Sequence, residues 1–261
     1  MLVYREVWYN EEAEDVQASE MAERLVQWLQ GQVAEGGAGG LVVGLSGGID
    51  SAVVAVLARR ACGDNCLALV MPCHSRPADA ADARRVAETV GIPCRQVDLG
   101  PVYDAFLGQV SGQVESVRDL ARANLKPRLR MLTLYFFANQ LNYLVAGTGN
   151  RSELEVGYFT KYGDGGVDIL PLGNLVKGQV RQLAAYLGIP QEIITKPPSA
   201  GLWESQTDEG EMGLTYADLD RYLLTGEAGP AVREKVEAMR RASAHKRRLP
   251  PVPEFSPPAG I

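Results

Sequence analysis

Residues that bind transition metals or form disulfides are scarce in this 261-residue sequence, which has 2 histidines and 4 cysteines. The cysteines, at positions 62, 66, 73 and 94, are too few and too irregularly spaced for a disulfide framework. Cys62, Cys66 and the pair Cys73-His74 suggest zinc ligands at first sight, but no second well-spaced pair completes a set of four. We therefore expect reduced thiols with a structural role.

Long apolar runs and an excess of basic residues are also missing. No apolar run approaches the ~18 residues that a membrane span needs. The net charge of −6 does not favour a general nucleic-acid or membrane surface. The first twenty residues are acidic, unlike the basic start of a signal peptide. We therefore expect a cytoplasmic protein that binds neither nucleic acid nor membranes.

The order of the predicted elements indicates the fold class. Apolar residues make up 46% of the chain, enough for a sizeable core. The predicted strands span 41–45, 67–71, 95–99 and 143–147. The predicted helices span 13–33, 52–58, 78–90, 126–141, 177–187, 216–224 and 229–245. This alternation predicts an α/β fold, with a parallel sheet flanked by helices in a single domain over 1–261.

Two segments of the chain lack the periodicity of helices or strands. Residues 200–214 mix glycine and acidic residues, and we interpret them as a mobile active-site loop. Residues 250–261 form a proline-rich tail that cannot be helical.

Six residues, SGGIDS at positions 46–51, join the first predicted strand to an apolar helix. The adjacent glycines let the backbone approach a ligand closely, and the amides at the helix start favour an anion. Ser46 and Ser51 add hydroxyl groups, and Asp50 offers a carboxylate to a phosphate-bound Mg²⁺. The pattern is neither a Walker A loop nor a dinucleotide-binding GxGxxG. It resembles the pyrophosphate loop of the ATP pyrophosphatase superfamily; the plain alternative is a tight turn without a ligand.

Two later segments carry chemistry of the same kind. GTGNRSE at 147–153 follows the fourth predicted strand, where Thr148 can donate to a nucleotide and Glu153 offers a second oxygen to Mg²⁺. Alone, this segment is also typical of a plain strand-to-helix junction. FTKYGDGGVD at 159–168 combines one cation, two carboxylates and three glycines. Ligands of such sheets lie beyond the carboxyl ends of the strands, which is where the first two loops fall.

Together these segments closely resemble the ammonia-dependent NAD synthetase family. The resemblance extends from the SGGIDS loop to His245-Lys246, and it includes NLKPRLR at 124–130, SAGLW at 199–203 and QTDE at 206–209. It implies an adenine nucleotide alpha hydrolase-like fold and an obligate homodimer whose dinucleotide site lies at the subunit interface. The 200–214 loop would then order over bound substrates.

The resemblance implies a role for each matching residue. The ATP-binding residues would be Gly44, Leu45, Ser46, Gly47, Gly48, Ile49, Asp50, Ser51, Thr148, Lys177 and Ser199. The residues that bind deamido-NAD would be Arg128, Lys161, Asp168, His245 and Lys246. The ligands of Mg²⁺ would be Asp50 and Glu153. The catalytic residues would be Asp50, Asp168 and Lys177.

The implied reaction is the ATP-dependent amidation of deamido-NAD to NAD with ammonia. A carboxylate is a poor acceptor for ammonia because its leaving group is oxide. The nicotinate carboxylate therefore first attacks the α-phosphorus of ATP and expels pyrophosphate, and lysine, backbone amides and Mg²⁺ suit this displacement. Ammonia then attacks the acyl adenylate and AMP leaves, with Asp168 as the candidate that binds and deprotonates ammonium.

Alternatives stay open for several of these residues. Asp168 is also typical of a turn or a strand end. The basic run from His245 to Arg248 also suits a solvated helix end. Arg128 and Arg130 are two residues apart on a helix, so only one of them is expected to point into the site.

Other functions share the ATP loop. A tRNA-thiolating ligase would carry a working cysteine pair and a basic surface, and neither is predicted. A nucleotide-amidating ligase remains a close alternative, whereas a sensing module that only binds ATP would lack carboxylates such as Asp50 and Glu153. No glutamine-hydrolysing segment is recognised, so free ammonia is the expected nitrogen source, and a separate amidotransferase partner stays open.

Overall fold

A computed structural model describes residues 11–199, 201 and 206–254, and the side chains from residue 16 onward. In this range four parallel strands form one sheet in the order β3-β2-β1-β4. The strands are β1 (Gly40–Gly44), β2 (Cys66–Val70), β3 (Cys94–Gln96) and β4 (Tyr143–Ala146). All four predicted strands are present, and the α/β fold with a parallel sheet is confirmed.

Helices account for most of the remaining described chain. They are α1 (Glu11–Glu35), α2 (Ile49–Cys62), α3 (Pro77–Val90), α4 (Gly100–Val110), α5 (Asp119–Leu141), α6 (Arg151–Val156), α7 (Lys177–Tyr186), α8 (Gln191–Ile194), α9 (Asp208–Met212), α10 (Tyr216–Thr225) and α11 (Pro230–Ser243). Two 3₁₀ segments, Ser111–Gln113 and Ala244–Lys246, follow α4 and α11.

The structure differs from the sequence prediction in a few helices. α5 starts at Asp119 rather than near Lys126, because it accommodates the buried Pro127 in its interior. α6, α8 and α9 have six, four and five residues, too short to show helical periodicity. Helix α9 lies inside 200–214, so that part of the predicted loop is wrong. Residues 200 and 202–205 of the loop, and 255–261 of the predicted tail, lie outside the described residues.

The sheet is covered on both faces, as its apolar strands require. On one face Leu41 and Val43 of β1 pack in a cluster with α1, α2, α3 and α7. On the other face Val42 packs with residues of α4 and α5, such as Tyr103 and Leu129. A third, smaller cluster joins α10 and α11 to α6. The last two helices are therefore held beside the carboxyl end of β4.

The described cysteines are free thiols at separate places in the fold. Cys62 ends α2, Cys66 opens β2, Cys73 follows β2, and Cys94 opens β3. Burial raises the pKa of the Cys66 thiol to about 11, so this thiol stays protonated at neutral pH. Within the described residues, no helix combines the length and apolar character that a membrane crossing requires.

Candidate active site

The SGGIDS loop makes a tight turn between β1 and α2. Gly47 has a φ of +78°, and a Cβ at this position would lie 2.6 Å from the carbonyl oxygen of Asp79. The hydroxyls of Ser46 and Ser51 lie 3.0 Å apart, and Ser51 Oγ also donates to the carbonyl of Gly48. The two serines therefore hold the turn closed, and α3 packs directly on its glycine.

The start of α2 offers unpaired donors to an anion. Its N-cap residue is Gly48, and no side chain of the described residues caps its first amides. In a helix these first amides have no partner within the helix, and the helix dipole adds positive potential at this end. The predicted phosphate site therefore has the backbone donors that it needs.

Lys177 lies at the centre of the candidate site and is 1% exposed. Its Nζ donates to Asp50 Oδ2 at 2.5 Å and lies 3.5 Å from Glu153 Oε1. Burial opposes a charge on this amine, but Asp50 and Glu153 outweigh burial, and the pKa of Lys177 is raised. Three residues predicted from separate segments thus meet as one charged cluster.

Asn150 fixes the two carboxylates relative to each other. It caps α6 through a reciprocal pair, in which its Oδ1 accepts from the Glu153 amide and Glu153 Oε2 accepts from the Asn150 amide. Its Nδ2 donates to Asp50 Oδ1 at 2.9 Å. Burial and the nearby Asp50 raise the pKa of Glu153 to about 8, although Lys177 acts in the opposite direction. Asn150 was part of the predicted loop, but no role was predicted for it.

Asp208 and Tyr216 join this cluster, and the sequence assigned neither of them a role. Asp208 is 5% exposed, and its Oδ2 accepts from the Tyr216 hydroxyl at 3.1 Å. The same hydroxyl lies 3.4 Å from Glu153 Oε1. Burial raises the pKa of Asp208, and its Oδ1 has no hydrogen-bond partner among the described residues. The only sequence signal was the QTDE segment, which carries Asp208.

Asp220 orders the backbone beneath the cluster. Its Oδ1 accepts from Ser152 Oγ at 2.6 Å and from the Lys177 amide at 3.3 Å. Its Oδ2 accepts from the Gly178 amide at 2.7 Å. The N-cap residue of α7, Val176, has no polar side chain, so a carboxylate from α10 caps this helix instead.

Four of the five residues predicted to bind deamido-NAD form a second cluster. Arg128 Nη2 lies 3.5 Å from the Lys161 carbonyl, and Lys161 Nζ donates to the His245 carbonyl at 2.7 Å. Lys246 Nζ donates to the carbonyls of Gly157 and Phe159 at 2.8 and 2.7 Å. The cluster therefore brings together three cations: Arg128 from α5, Lys161 from the turn after α6, and Lys246 from the 3₁₀ segment after α11.

Asp168, the fifth predicted residue, lies at the open edge of β4. It is exposed, and its two oxygens accept from the Tyr135 hydroxyl at 2.9 Å and the Val145 amide at 2.8 Å. No hydrogen bond in the described structure joins it to Lys177 or Lys161. Its carboxylate thus accepts a backbone hydrogen bond at the edge of the sheet. This agrees with the alternative that Asp168 is a structural residue at a strand end.

The two arginines of α5 lie on different faces, as helical spacing predicts. Arg130 Nε donates to the Met71 carbonyl and its Nη2 donates to Ser75 Oγ, both at 3.2 Å. Burial lowers the pKa of Arg130. It therefore lies at the carboxyl end of β2, whereas Arg128 is exposed beside Lys161.

The last two predicted nucleotide contacts flank the charged cluster. Thr148 is half-buried directly after β4. Ser199 is exposed, and its Oγ accepts from the Gly201 amide at 3.1 Å. The neighbouring Pro198 carbonyl accepts from the Asp208 amide at 3.0 Å, which places this segment beside the cluster.

The oxygen ligands of the cluster suit Mg²⁺. Within the described ranges, no three His, Cys, Asp or Glu side chains are arranged to hold a metal ion by themselves. Mg²⁺ is usually bound by one or two carboxylates together with substrate phosphates and water, so Asp50 and Glu153 provide a sufficient protein share. Lys177 Nζ lies between these two carboxylates, which shows that they can bind a cation at this position.

Comparisons with sequence profiles, known sequences and solved structures point to the same family. The sequence profile described as NAD synthase matches residues 21–250. An NH(3)-dependent NAD(+) synthetase of Carboxydothermus hydrogenoformans is 55% identical, covering 90% of this chain and 97% of that protein. Among solved structures, NMN synthetase from Francisella tularensis is 41% identical with a TM-score of 0.87, covering 91% and 99% of the two chains. An NH3-dependent NAD synthetase from Campylobacter jejuni is 32% identical with a TM-score of 0.75, over the same shares.

Proposed function

The chain belongs to the NAD synthase family, and we propose that it amidates deamido-NAD to NAD with ammonia and ATP, releasing AMP and pyrophosphate. The observation that carries this function is the buried Lys177, held by Asp50 and Glu153 beside the uncapped start of α2. Such a site suits a reaction in which charge develops on phosphate oxygens. We place the activity in the cytoplasm, as the sequence predicts.

In the first step, an oxygen of the nicotinate carboxylate attacks the α-phosphorus of ATP, and the bond to the β-phosphate breaks. The amides at the start of α2 orient the phosphates, and Lys177 donates to the oxygens that gain charge. Asp50 and Glu153 would hold Mg²⁺, which when bound neutralises phosphate charge. The products of the step are an acyl adenylate and pyrophosphate.

In the second step, ammonia attacks the acyl carbon, AMP leaves with the bonding electrons, and the attacking nitrogen releases one proton to solvent to give the amide. Ammonium must first lose a proton, and we keep Asp168 as the candidate that receives it. Each of its oxygens accepts one hydrogen bond already, yet an ionised carboxylate has about four acceptor positions. An exposed carboxylate at the sheet edge can therefore still bind ammonium.

A second substrate deserves a direct test. The similarity to an NMN synthetase favours nicotinate mononucleotide as an alternative acceptor. Both acids present the same nicotinate carboxylate, so the adenylating residues would serve either of them. The acceptors differ only in the adenylate half, which the cluster of Arg128, Lys161 and Lys246 would contact.

The test is an end-point assay with ATP, Mg²⁺ and either acid, supplied with ammonium or with glutamine. Deamido-NAD with ammonium is expected to give NAD, AMP and pyrophosphate in equal amounts. A preference for nicotinate mononucleotide would mean that the protein amidates the mononucleotide rather than deamido-NAD. AMP without an amide product would indicate a related ligase, and no turnover of ATP would refute the proposal.

We expect Lys161→Ala to raise the KM for deamido-NAD about tenfold or more while the KM for ATP changes little. The lysine lies in the second cluster, away from Asp50 and Lys177, so it would contact the dinucleotide only. Steady-state kinetics with each substrate varied in turn would measure both constants. Arg233→Ala is a matched control, because Arg233 is an exposed cation that also donates to a backbone carbonyl. An equal rise in both KM values would remove Lys161 from the dinucleotide site.

We also propose that the chain is a homodimer that associates through an apolar face of α4 and α5. The face carries large exposed side chains: Val102, Phe106, Leu132 and Phe136. Phe136 is 65% exposed and Leu132 63%, and they lie one helical turn apart on α5. Contiguous exposed apolar side chains of this kind mark an interaction surface. A second copy of the chain would cover these side chains.

Phe136→Asp is expected to shift the protein from dimer to monomer, because it places a charge in the apolar face. Sedimentation analysis would then give a mass near 28.2 kDa instead of twice that value. Leu224→Asp is the matched control, since Leu224 is also exposed but lies on α10. A Phe136→Asp protein that remains dimeric would place the interface elsewhere.

A further inference from the structure

Tyr216 contacts every charged side chain of the charged cluster around Lys177 except Asp50. It is the first residue of α10 and is fully buried. The Nζ of Lys177 lies 5.0 Å from the centre of its ring. Its hydroxyl lies 3.1 Å from Asp208 Oδ2 and 3.4 Å from Glu153 Oε1. A fully buried aromatic residue thus faces the charged cluster.

The ring of Tyr216 can hold an ammonium group without neutralising it. The face of an aromatic ring attracts a cation through its quadrupole, and this attraction is strongest where water is absent. Lys177 and Tyr216 are both almost completely buried, so their contact is desolvated. A further carboxylate in the same place would compete with the phosphate oxygens for the N–H donors of the lysine, whereas a ring face takes up none of them.

The hydroxyl of Tyr216 can donate its hydrogen bond to either Asp208 or Glu153. A phenol has one hydrogen, so it donates fully to only one acceptor at a time. The contact with Asp208 is shorter than the contact with Glu153. Donation to Asp208 leaves Glu153 Oε1 available to a cation.

We propose that Tyr216 is a positioning residue for adenylation: its ring holds the Lys177 ammonium at the phosphates, and its hydroxyl donates to Asp208 and so leaves Glu153 available to a cation. The inference rests on the proposed function, because it assigns to Lys177 the stabilisation of charge on ATP. It predicts that the rate depends on the electron density of the ring as well as on its shape.

The experiment replaces Tyr216 by phenylalanine and by mono-, di- and trifluorinated phenylalanines. Fluorine weakens the ring quadrupole and changes the ring volume little, so packing is held nearly constant. The readout is exchange of pyrophosphate into ATP in the presence of the acid substrate, which isolates the first step. We expect Tyr216→Phe to lower kcat about tenfold, and successive fluorines to lower it by about tenfold more. The KM for ATP is expected to change much less than kcat.

A second readout needs no turnover. We expect fluorination to lower the urea midpoint of unfolding when residue 177 is lysine, and to leave it unchanged when Lys177→Met is also present. Tyr222→Phe is the matched control, because Tyr222 also bonds a carboxylate, Glu237, and faces a cation, Arg240, outside the site. Its exchange rate is expected to equal that of the unaltered protein.

The outcomes separate the inference from the function on which it rests. A graded loss of rate together with coupling to Lys177 would support the role of Tyr216. Equal exchange rates across the fluorinated series would overturn it, whatever the stability data show. Equal shifts of the urea midpoint with and without Lys177 would also overturn it, even if the unaltered protein catalysed no exchange. Failure of the function itself would show separately, as absence of exchange in the unaltered protein.

Discussion

Replacing Lys177 with methionine is expected to lower the rate of AMP formation by about 10³-fold or more. Methionine keeps much of the apolar stem of the lysine but removes its only charge and its donors. The lost donors would otherwise act where charge develops on ATP, and removal of one such donor costs about 10²–10³ in rate elsewhere. Single-turnover formation of AMP and pyrophosphate would measure the loss directly.

The same substitution is expected to make stability depend more steeply on pH. Glu153 already has a pKa of about 8 in the folded protein, raised by burial and by Asp50 above its ordinary value of 4.5. A raised carboxyl pKa favours the folded state while the group is protonated, so this contribution is lost as pH rises from about 4.5 through 8. Without the opposing charge of Lys177, the loss becomes larger and extends to higher pH.

Lys235→Met is the control for both measurements, because Lys235 is an exposed lysine whose Nζ donates to the backbone carbonyl of Gly213. It is expected to leave the rate and the pH dependence of unfolding unchanged. A Lys177→Met protein with a normal rate would show that phosphate charge is stabilised by other groups. The backbone amides of α2 would then be the first candidates.

Asp50→Asn is expected to lower turnover by about 10³-fold as well, because it weakens the electrostatic stabilisation of developing charge, and to leave the fold intact. The amide keeps the size of the carboxylate and its contact with Asn150, but it loses the charge that faces Lys177. It is also a poorer ligand for Mg²⁺ than a carboxylate. We expect the Mg²⁺ concentration at half-maximal rate to rise together with the loss of kcat.

Asp64→Asn provides the comparison at the opposite end of α2, where Asp64 bonds Arg59 on the surface. Surface ion pairs contribute little, so its rate and its Mg²⁺ requirement are expected to be normal. Circular dichroism would confirm that both variants are folded. An Asp50→Asn protein with an unchanged Mg²⁺ requirement would mean that the metal is bound elsewhere.

The sequence predicted the sheet and the phosphate loop because both depend on local patterns. A short apolar run, two adjacent glycines and an apolar helix follow one another within residues 41–58, so neighbours along the chain determine the turn. Glu153 was predicted from the loop that carries it, and Lys177 was found through the family resemblance. The structure places both beside Asp50. Their meeting point was predictable only because parallel strands end at one edge of the sheet.

The remaining members of the cluster depend on contacts between distant segments. Tyr216 follows the helical period of a core residue, and nothing local reveals that its hydroxyl meets Asp208 and Glu153. Asn150 looks like an ordinary helix cap, and its bond to Asp50 spans 100 positions in the chain. Such roles arise from tertiary packing, which periodicity and turn chemistry do not encode.

The carboxylate of Asp220 has a consequence for the search for important residues in this enzyme. It ties together the side chain of Ser152, which precedes Glu153, the backbone of Lys177 and Gly178, and the helix that begins with Tyr216. A change there would displace Glu153, Lys177 and Tyr216 at once, although the described hydrogen bonds of Asp220 reach none of their side chains. In a screen of random variants, changes at position 220 would therefore abolish activity as changes at the catalytic residues do. Loss of activity alone would then misidentify a structural residue as a catalytic one.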